Sequence, residues 1–209
     1  MRSPVTTVIF DYGGVLSLPV DLDSHRTLAA LCGLPLERCT AEMWRERPAY
    51  DRGDVTLEGY WSRILALADR AADAGLLERL NREDLRGWGR INDRVLQWSR
   101  ALRAAGFRTA VLSNMPRPLL DLMSAEPSFA WLREFEVRVF SCEVRLVKPE
   151  PGIYRALLQR LRETAGSCLF LDDFERNVSG ARAVGIRALH FRSADEASEE
   201  LVDLELPLL

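Results

Sequence analysis

The chain has 209 residues, of which 28 are Lys or Arg and 31 are Asp or Glu, giving a formal net charge of −3. That length buries a sizeable core in one domain or one and a half, and the near-balanced charge gives none of the basic footprint that a nucleic-acid partner requires. Apolar runs fall short of the roughly 18 residues needed to span a membrane. Cys32, Cys39, Cys142 and Cys168 are scattered, with no secretory signal before them, so a reducing cytoplasm is expected rather than a disulfide framework or a thiolate zinc site.

The first element is a buried strand through Val8, Ile9 and Phe10 that stops at Asp11, with Gly13-Gly14 just beyond. A short apolar run ended by a glycine pair marks an abrupt turn, and the carboxyl end of a strand is where open α/β sheets place their ligands. Taken alone, an aspartate at a strand end is more often a turn or cap residue than a functional one. From Pro19 to about Trp88 the pattern is helical throughout. Leu28, Leu31 and Cys32 share one helix stopped by Gly33, a second carries Met43 and Trp44 and ends by Pro48, Thr56 caps a third, and Leu76, Leu77 and Leu80 mark a fourth.

From Asn92 strand and helix alternate. Asn92 caps a helix closed by Gly106, Thr109 to Leu112 forms a strand ending at Ser113-Asn114, and Leu119, Leu120 and Met123 lie on a short helix. Val137 to Phe140 is a strand, Lys148-Pro149-Glu150-Pro151 opens a helix, and Cys168 to Leu171 is a strand ending at Asp172-Asp173. A helix closed by Gly185, a last strand from Ile186 to Phe191 and a capping box at Ser193 to Glu196 complete the order. The alternation predicts an α/β, Rossmann-like, mainly parallel sheet with helices on both faces. Residues 1–16 and 92–209 form its core, and residues 17–91 form a helical cap inserted after the first strand.

In such a sheet the strand ends share one edge. Asp11, Ser113, Asn114, Asp172 and Asp173 therefore converge, with Lys148 on a proline-stiffened loop between them. Crowded carboxylates repel unless a cation sits among them, and with only His25 and His190 in the chain hard oxygen ligands favour Mg2+ over zinc. Lys148 and Ser113 add the charge and the hydrogen-bond donor that a dianionic phosphate needs.

The runs Phe10 to Leu16, Leu112-Ser113-Asn114, Val147 to Glu150 and Leu171-Asp172-Asp173, in that order, resemble the four motifs of the haloacid dehalogenase superfamily. The insert resembles the helical cap of its subgroup that includes glucose-1-phosphate phosphatases and the amino-terminal phosphatase domain of soluble epoxide hydrolases. The resemblance implies a magnesium-dependent phosphatase acting on a small phosphorylated metabolite, such as a sugar phosphate. Asp11 would be the nucleophile that forms an aspartyl-phosphate, and Ser113 with the amide of Asn114 would bind the phosphoryl oxygens. Lys148 would hold nucleophile and phosphate together. Asp11, the carbonyl of Gly13, Asp172 and Asp173 would serve the metal, Asp173 as the nearer ligand, with Asn177 supporting the loop.

Gly13 departs from the pattern. Active phosphatases of this superfamily usually carry a second aspartate there as general acid and base, a role worth roughly 10²–10⁴-fold. Its absence predicts slow turnover, a preference for good leaving groups such as sugar 1-phosphates, acyl phosphates or aryl phosphates, or a non-catalytic phosphate-binding module. Asp21, Asp23, His25 and Glu143 are the candidates to substitute for it. Dehalogenation, which uses no metal, leaves Asp172-Asp173 without a purpose. Trp44, Tyr60 and Trp61 read as either pocket lining or cap core, and Arg45, Arg47 and Arg52 as either substrate contacts or solvated surface.

Overall fold

The protein is described from a computed structural model over residues 4–201 and residue 206; the outer ends of the expected core, residues 1–3, 202–205 and 207–209, lie outside the described residues. Five strands, β1 (Thr7–Phe10), β2 (Arg108–Ser113), β3 (Val137–Phe140), β4 (Cys168–Asp172) and β5 (Arg187–His190), form one sheet in the order β3-β2-β1-β4-β5. Every pairing is parallel, with Phe10 beside Val111 on one side and Leu171 on the other. The strands carry near-continuous apolar runs because both faces are covered. Val8 and Phe10 point into one cluster with Val111, Leu169 and Leu171, while Ile9 points into another with Ala110, Leu112 and Phe170. After β1 the chain moves to β2 and then β3, and only then returns to β4 on the opposite side of β1. That reversal opens a crevice at the carboxyl ends of β1 and β4, the usual ligand position in such sheets.

Between β1 and β2 lie α1 (Leu22–Cys32), α2 (Leu36–Arg52), α3 (Leu57–Leu65), α4 (Ala74–Trp88) and α5 (Asp93–Ala104). Side-chain caps start most of them: Asp21 accepts from Ser24 N–H at 2.7 Å, Thr56 from Gly59 N–H at 3.1 Å, and Asp73 from Leu76 N–H at 2.9 Å. The buried side chains of α1 to α4 pack with one another, Leu28, Trp61, Ile64 and Leu80 among them, in a cluster separate from the two that flank the sheet. The chain leaves and re-enters the sheet side by side, with Ser17 bridged to Ile91 and Leu18 N–H donating to the Arg90 carbonyl at 2.6 Å.

The second helix does not end by Pro48 as expected; α2 continues to Arg52 and stops at Gly53, whose φ of +83° forms its left-handed cap. An interior proline costs roughly 3 kcal/mol, and contacts on both sides of it offset that cost. Tyr50 stacks on Tyr60 with centroids 4.2 Å apart, and Arg47 Nε donates to Asp51 Oδ1 at 2.8 Å across the proline. Beyond β2 come α6 (Arg117–Ala125), a 3₁₀ segment over Pro127–Glu134, α7 (Ser141–Val144), α8 (Pro151–Leu161), α9 (Glu175–Ala183) and α10 (Ala194–Glu200). The 3₁₀ segment and α7 have no counterpart in the sequence reading.

Arg47 is buried between two carboxylates, with Nε on Asp51 and Nη1 3.0 Å from Asp84 Oδ2. Burial pushes the Asp51 carboxyl up to about 6 against the pull of Arg47. Replacing Arg47 by methionine strands two buried acids, so Arg47→Met is expected to cost about 3–5 kcal/mol at neutral pH in urea unfolding. The deficit narrows as the pH falls through 6 and below, because a protonated carboxyl needs no counter-charge.

Candidate active site

Asp11 sits immediately after the central strand, its N–H donating to the Leu171 carbonyl at 2.9 Å. It is followed by one wide helical turn, Tyr12–Leu16, closed by Ser17 N–H on the Tyr12 carbonyl at 2.8 Å. Its Oδ1 accepts from Tyr12 N–H at 2.7 Å and from Lys148 Nζ at 2.8 Å, while Oδ2 takes no hydrogen bond from the described residues. Lys148 Nζ also donates to Asp172 Oδ2 at 2.6 Å, so one buried ammonium bridges the ends of β1 and β4.

The loop carrying Lys148 is held to the end of β2. The Lys148 N–H donates to Asn114 Oδ1 at 2.8 Å, and Asn114 Nδ2 returns a bond to the Lys148 carbonyl at 3.1 Å. Asp172 is fully engaged: besides Lys148 it accepts from Phe174 N–H at 2.9 Å and from Asn177 Nδ2 at 2.9 and 3.1 Å. Asp173 is its opposite. Its Oδ1 is buried with no hydrogen-bond partner, although His190 Nε2 lies 2.9 Å from its backbone carbonyl.

Asp11, Asp172 and Asp173 each offer an oxygen within 4.8 Å of the others. Burial, opposed by Lys148 and reinforced by Asp172 and Asp173, holds the Asp11 carboxyl well above its usual range. Asp173 is pushed up to about 6 by burial and by Asp172. Burial opposes the Lys148 charge, but Asp11 and Asp172 outweigh it and raise its pKa. One ammonium among three carboxylates leaves a deficit of positive charge, and an all-oxygen donor set with an unpartnered carboxylate oxygen fits a hard divalent cation such as Mg2+.

A cavity of about 560 Å³ opens over these groups, with Asp11, Gly13, Ser113, Lys148 and Asp173 in its floor. The buried Ser113 makes only a long 3.5 Å contact to the Asn114 carbonyl. Every site residue expected from the sequence, Asn114 and Asn177 included, lines this cavity except Asp172, which is enclosed beneath it.

The candidates to replace the side chain at position 13 are not brought in. His25 and Glu143 line other cavities, Asp21 is occupied in capping α1, and Asp23 pairs with Arg26 at the surface. Sequence reasoning missed Asp51, Trp88 and Phe174 in the lining; the four-residue spacing of Arg47 and Asp51 was the one available signal. Of the aromatic residues left open, Trp44 lines the cavity while Tyr60 and Trp61 are core of the helical insert. Arg47 and Arg52 reach the cavity wall and Arg45 stays at the surface.

This arrangement of a strand-end aspartate, a bridging lysine and an acidic pair has a family. The haloacid dehalogenase-like hydrolases match the chain over residues 5–185. The chain belongs to that family. It is 34% identical over 117 residues to the bifunctional epoxide hydrolase 2 of Rattus norvegicus, covering 53% of the chain and 20% of the relative. The match thus spans about a fifth of that relative's length. A Mycobacterium tuberculosis phosphatase is 28% identical, covering 88% of the chain and 86% of the relative, and (S)-2-haloacid dehalogenase 1 of a Pseudomonas species is 25% identical, covering 94% and 88%. Among solved structures, a family enzyme of Bacteroides thetaiotaomicron superposes with a TM-score of 0.77 at 18% identity, covering 95% of this chain and 99% of its own. The wild-type form of that enzyme has also been crystallised with magnesium and inorganic phosphate; that structure superposes at 0.65 with 19% identity, covering 88% and 93%.

Gly14 shows how tightly this site is built. Its φ is +69°, and a Cβ there would stand 2.4 Å from Asp173 Oδ2. Gly14→Ala is expected to lose about 1–2 kcal/mol from backbone strain alone in urea unfolding, with a larger loss of activity because Asp173 must move.

Proposed function

We propose that the chain is a magnesium-dependent phosphatase that hydrolyses a small phosphate monoester through an aspartyl-phosphate on Asp11. The observation that carries this reading is the contrast at the sheet rim between Asp172, with every oxygen engaged, and Asp173, whose Oδ1 is buried without a partner beside a lysine-oriented Asp11.

The Asp11 carboxylate attacks phosphorus, its Oδ2 being the atom free of protein donors. Lys148 orients that carboxylate through Oδ1 and offsets the charge gathered on the phosphoryl group. The Ser113 hydroxyl and the backbone N–H of Asn114 donate to phosphoryl oxygens at the end of β2. Asn114 and Asn177 are positioning residues, the first for the Lys148 loop and the second for Asp172. Asp173, Asp11 and the Gly13 carbonyl would hold Mg2+, with Asp172 beside them; the metal supplies charge neutralisation between carboxylates and phosphate. Water then attacks the aspartyl-phosphate, releasing inorganic phosphate and restoring the carboxylate. The insert of residues 17–91 acts as a lid over the cavity, excluding water during transfer, with its hinges near Ser17 to Pro19 and near Gly87 to Arg90.

A dehalogenase reading is supported by near full-length similarity to the Pseudomonas enzyme. It gives Asp173 Oδ1 no partner and needs no cation, so the acidic pair weighs against it.

The test is hydrolysis of p-nitrophenyl phosphate with and without Mg2+. Release is expected to require the metal, to stop with EDTA, and to fall by about 10³-fold or more in Asp11→Asn. Wild type and variant equally inert toward this and other phosphate esters would leave a phosphate-binding module, and chloride release from 2-chloropropionate without metal would establish the dehalogenase.

A further inference from the structure

The wall of the cavity above the reacting atoms has a different chemistry from its floor. Trp44 and Trp88 come from the insert and Phe174 from the loop after β4, and all three line the cavity. Trp44 stands edge-on to Trp88 with centroids 6.4 Å apart and to Phe174 at 6.0 Å. Trp44 is 43% exposed and Phe174 37%, whereas Trp61 and Trp98 are fully buried. Two large aromatic side chains left open at one cavity mouth mark a surface with something to cover.

Most polar side chains of the same wall are already committed; among the described residues the exceptions are Arg176, which lies over the Phe174 ring, and Asn177 Oδ1, which is buried without a hydrogen-bond partner. Arg47 serves Asp51 and Asp84, Arg52 pairs with Glu150 and Asp54, and Asn114 and Asn177 hold Lys148 and Asp172. A polyhydroxylated leaving group needs more uncommitted donors and acceptors than these two, because hydroxyls buried without partners are costly. A flat apolar ring needs aromatic faces, which this wall offers.

Position 13 points to the same class by an independent route. A Cβ on Gly13 would stand 2.9 Å from Trp88 Cζ3. The indole is pinned there, its Nε1 donating to Asp84 Oδ1 at 3.2 Å and its backbone carbonyl accepting from Tyr12 OH at 2.7 Å. Trp88 thus occupies the space into which a side chain acid at residue 13 would project. With no acid at this position the departing oxygen leaves as its anion. That is a small handicap for a phenol, whose pKa is about 10, and a large one for an alkyl alcohol, whose pKa is nearer the 15.7 of water.

We infer that the site selects phosphate monoesters of phenols, an inference that rests on the phosphatase reading above and narrows it. The Asp11 carboxylate forms a bond to phosphorus as the phosphorus–aryl oxygen bond breaks. The electron pair leaves on the aryl oxygen, which takes its proton from solvent, and water hydrolyses the aspartyl-phosphate to inorganic phosphate.

The experiment compares kcat/KM, with Mg2+, for phenyl and 2-naphthyl phosphate against glucose 1-phosphate and glycerol 2-phosphate, with acetyl phosphate as a small reference lacking a ring. The aryl esters are expected to exceed the sugar and alkyl esters by about 10²-fold or more, the low end of what general acid catalysis supplies. In Trp44→Ala the ratio of kcat/KM for 2-naphthyl phosphate over acetyl phosphate is expected to fall about five-fold, the worth of one aromatic contact. Equal rates for glucose 1-phosphate and the aryl esters would overturn the inference and leave the phosphatase standing. A loss confined to the alkyl and sugar esters in Asp51→Asn would likewise overturn it, by assigning the leaving-group proton to Asp51. Failure of every compound, acetyl phosphate included, would remove the phosphatase reading itself.

Discussion

The structure depends on the placement of one ammonium. Lys148 is buried against Asp11 at 2.8 Å, Asp172 at 2.6 Å and the Phe170 ring at 5.4 Å. Buried charges of one sign without a partner cost several kcal/mol each, so the lysine is what lets carboxylates gather at the end of the sheet. Its position is set by three separate stretches of chain. The parallel sheet aligns the ends of β1 and β4, Asn114 at the end of β2 grips the lysine's own backbone, and Asn177 from α9 fixes Asp172 from the far side. The ion pair, being enclosed, is little screened by salt and keeps its geometry.

Compensation at this site is incomplete, and the shortfall falls on Asp173. Asp172 spends both oxygens on Lys148, Asn177 and the Phe174 amide, which makes it a scaffold. Asp173 keeps a buried oxygen free because Gly14, lacking a side chain, lets it lie against the turn after β1. The glycine pair therefore does two different things. Gly14 admits Asp173 through its left-handed backbone, and Gly13 admits Trp88 through its missing Cβ.

Much of this was legible in the sequence, because strand ends in a parallel sheet must share an edge. Asp11, Ser113, Lys148 and Asp173 all carried signals of their own, a carboxylate or hydroxyl closing an apolar run or a lysine before proline. What escaped had no local signal. Pro48 reads as a helix stop, and only the stacked Tyr50 and Tyr60 and the Arg47–Asp51 bond show why it is not one. Asp84 lies 37 residues from Arg47, so no periodicity links them. Trp88 sits at the end of an amphipathic helix like any capping aromatic, and its approach to residue 13 follows from tertiary packing alone.

Charge handling and shape selection therefore sit on different parts of the chain with a narrow join. Asp11, Lys148 and Asp172 lie at the sheet's rim and are locked by bonds to one another, with Asp173 beside them, whereas Trp44 and Trp88 belong to α2 and α4. The join is at Trp88, whose carbonyl is held by Tyr12, the residue beside Asp11, and whose indole is held by Asp84, the partner of Arg47. A change of side chain on the exposed face of Trp44 can thus alter what the cavity admits without touching the ammonium that orients Asp11. A change at Trp88 cannot, because the same residue fills the roof, closes the space at position 13 and braces the turn that carries Asp11.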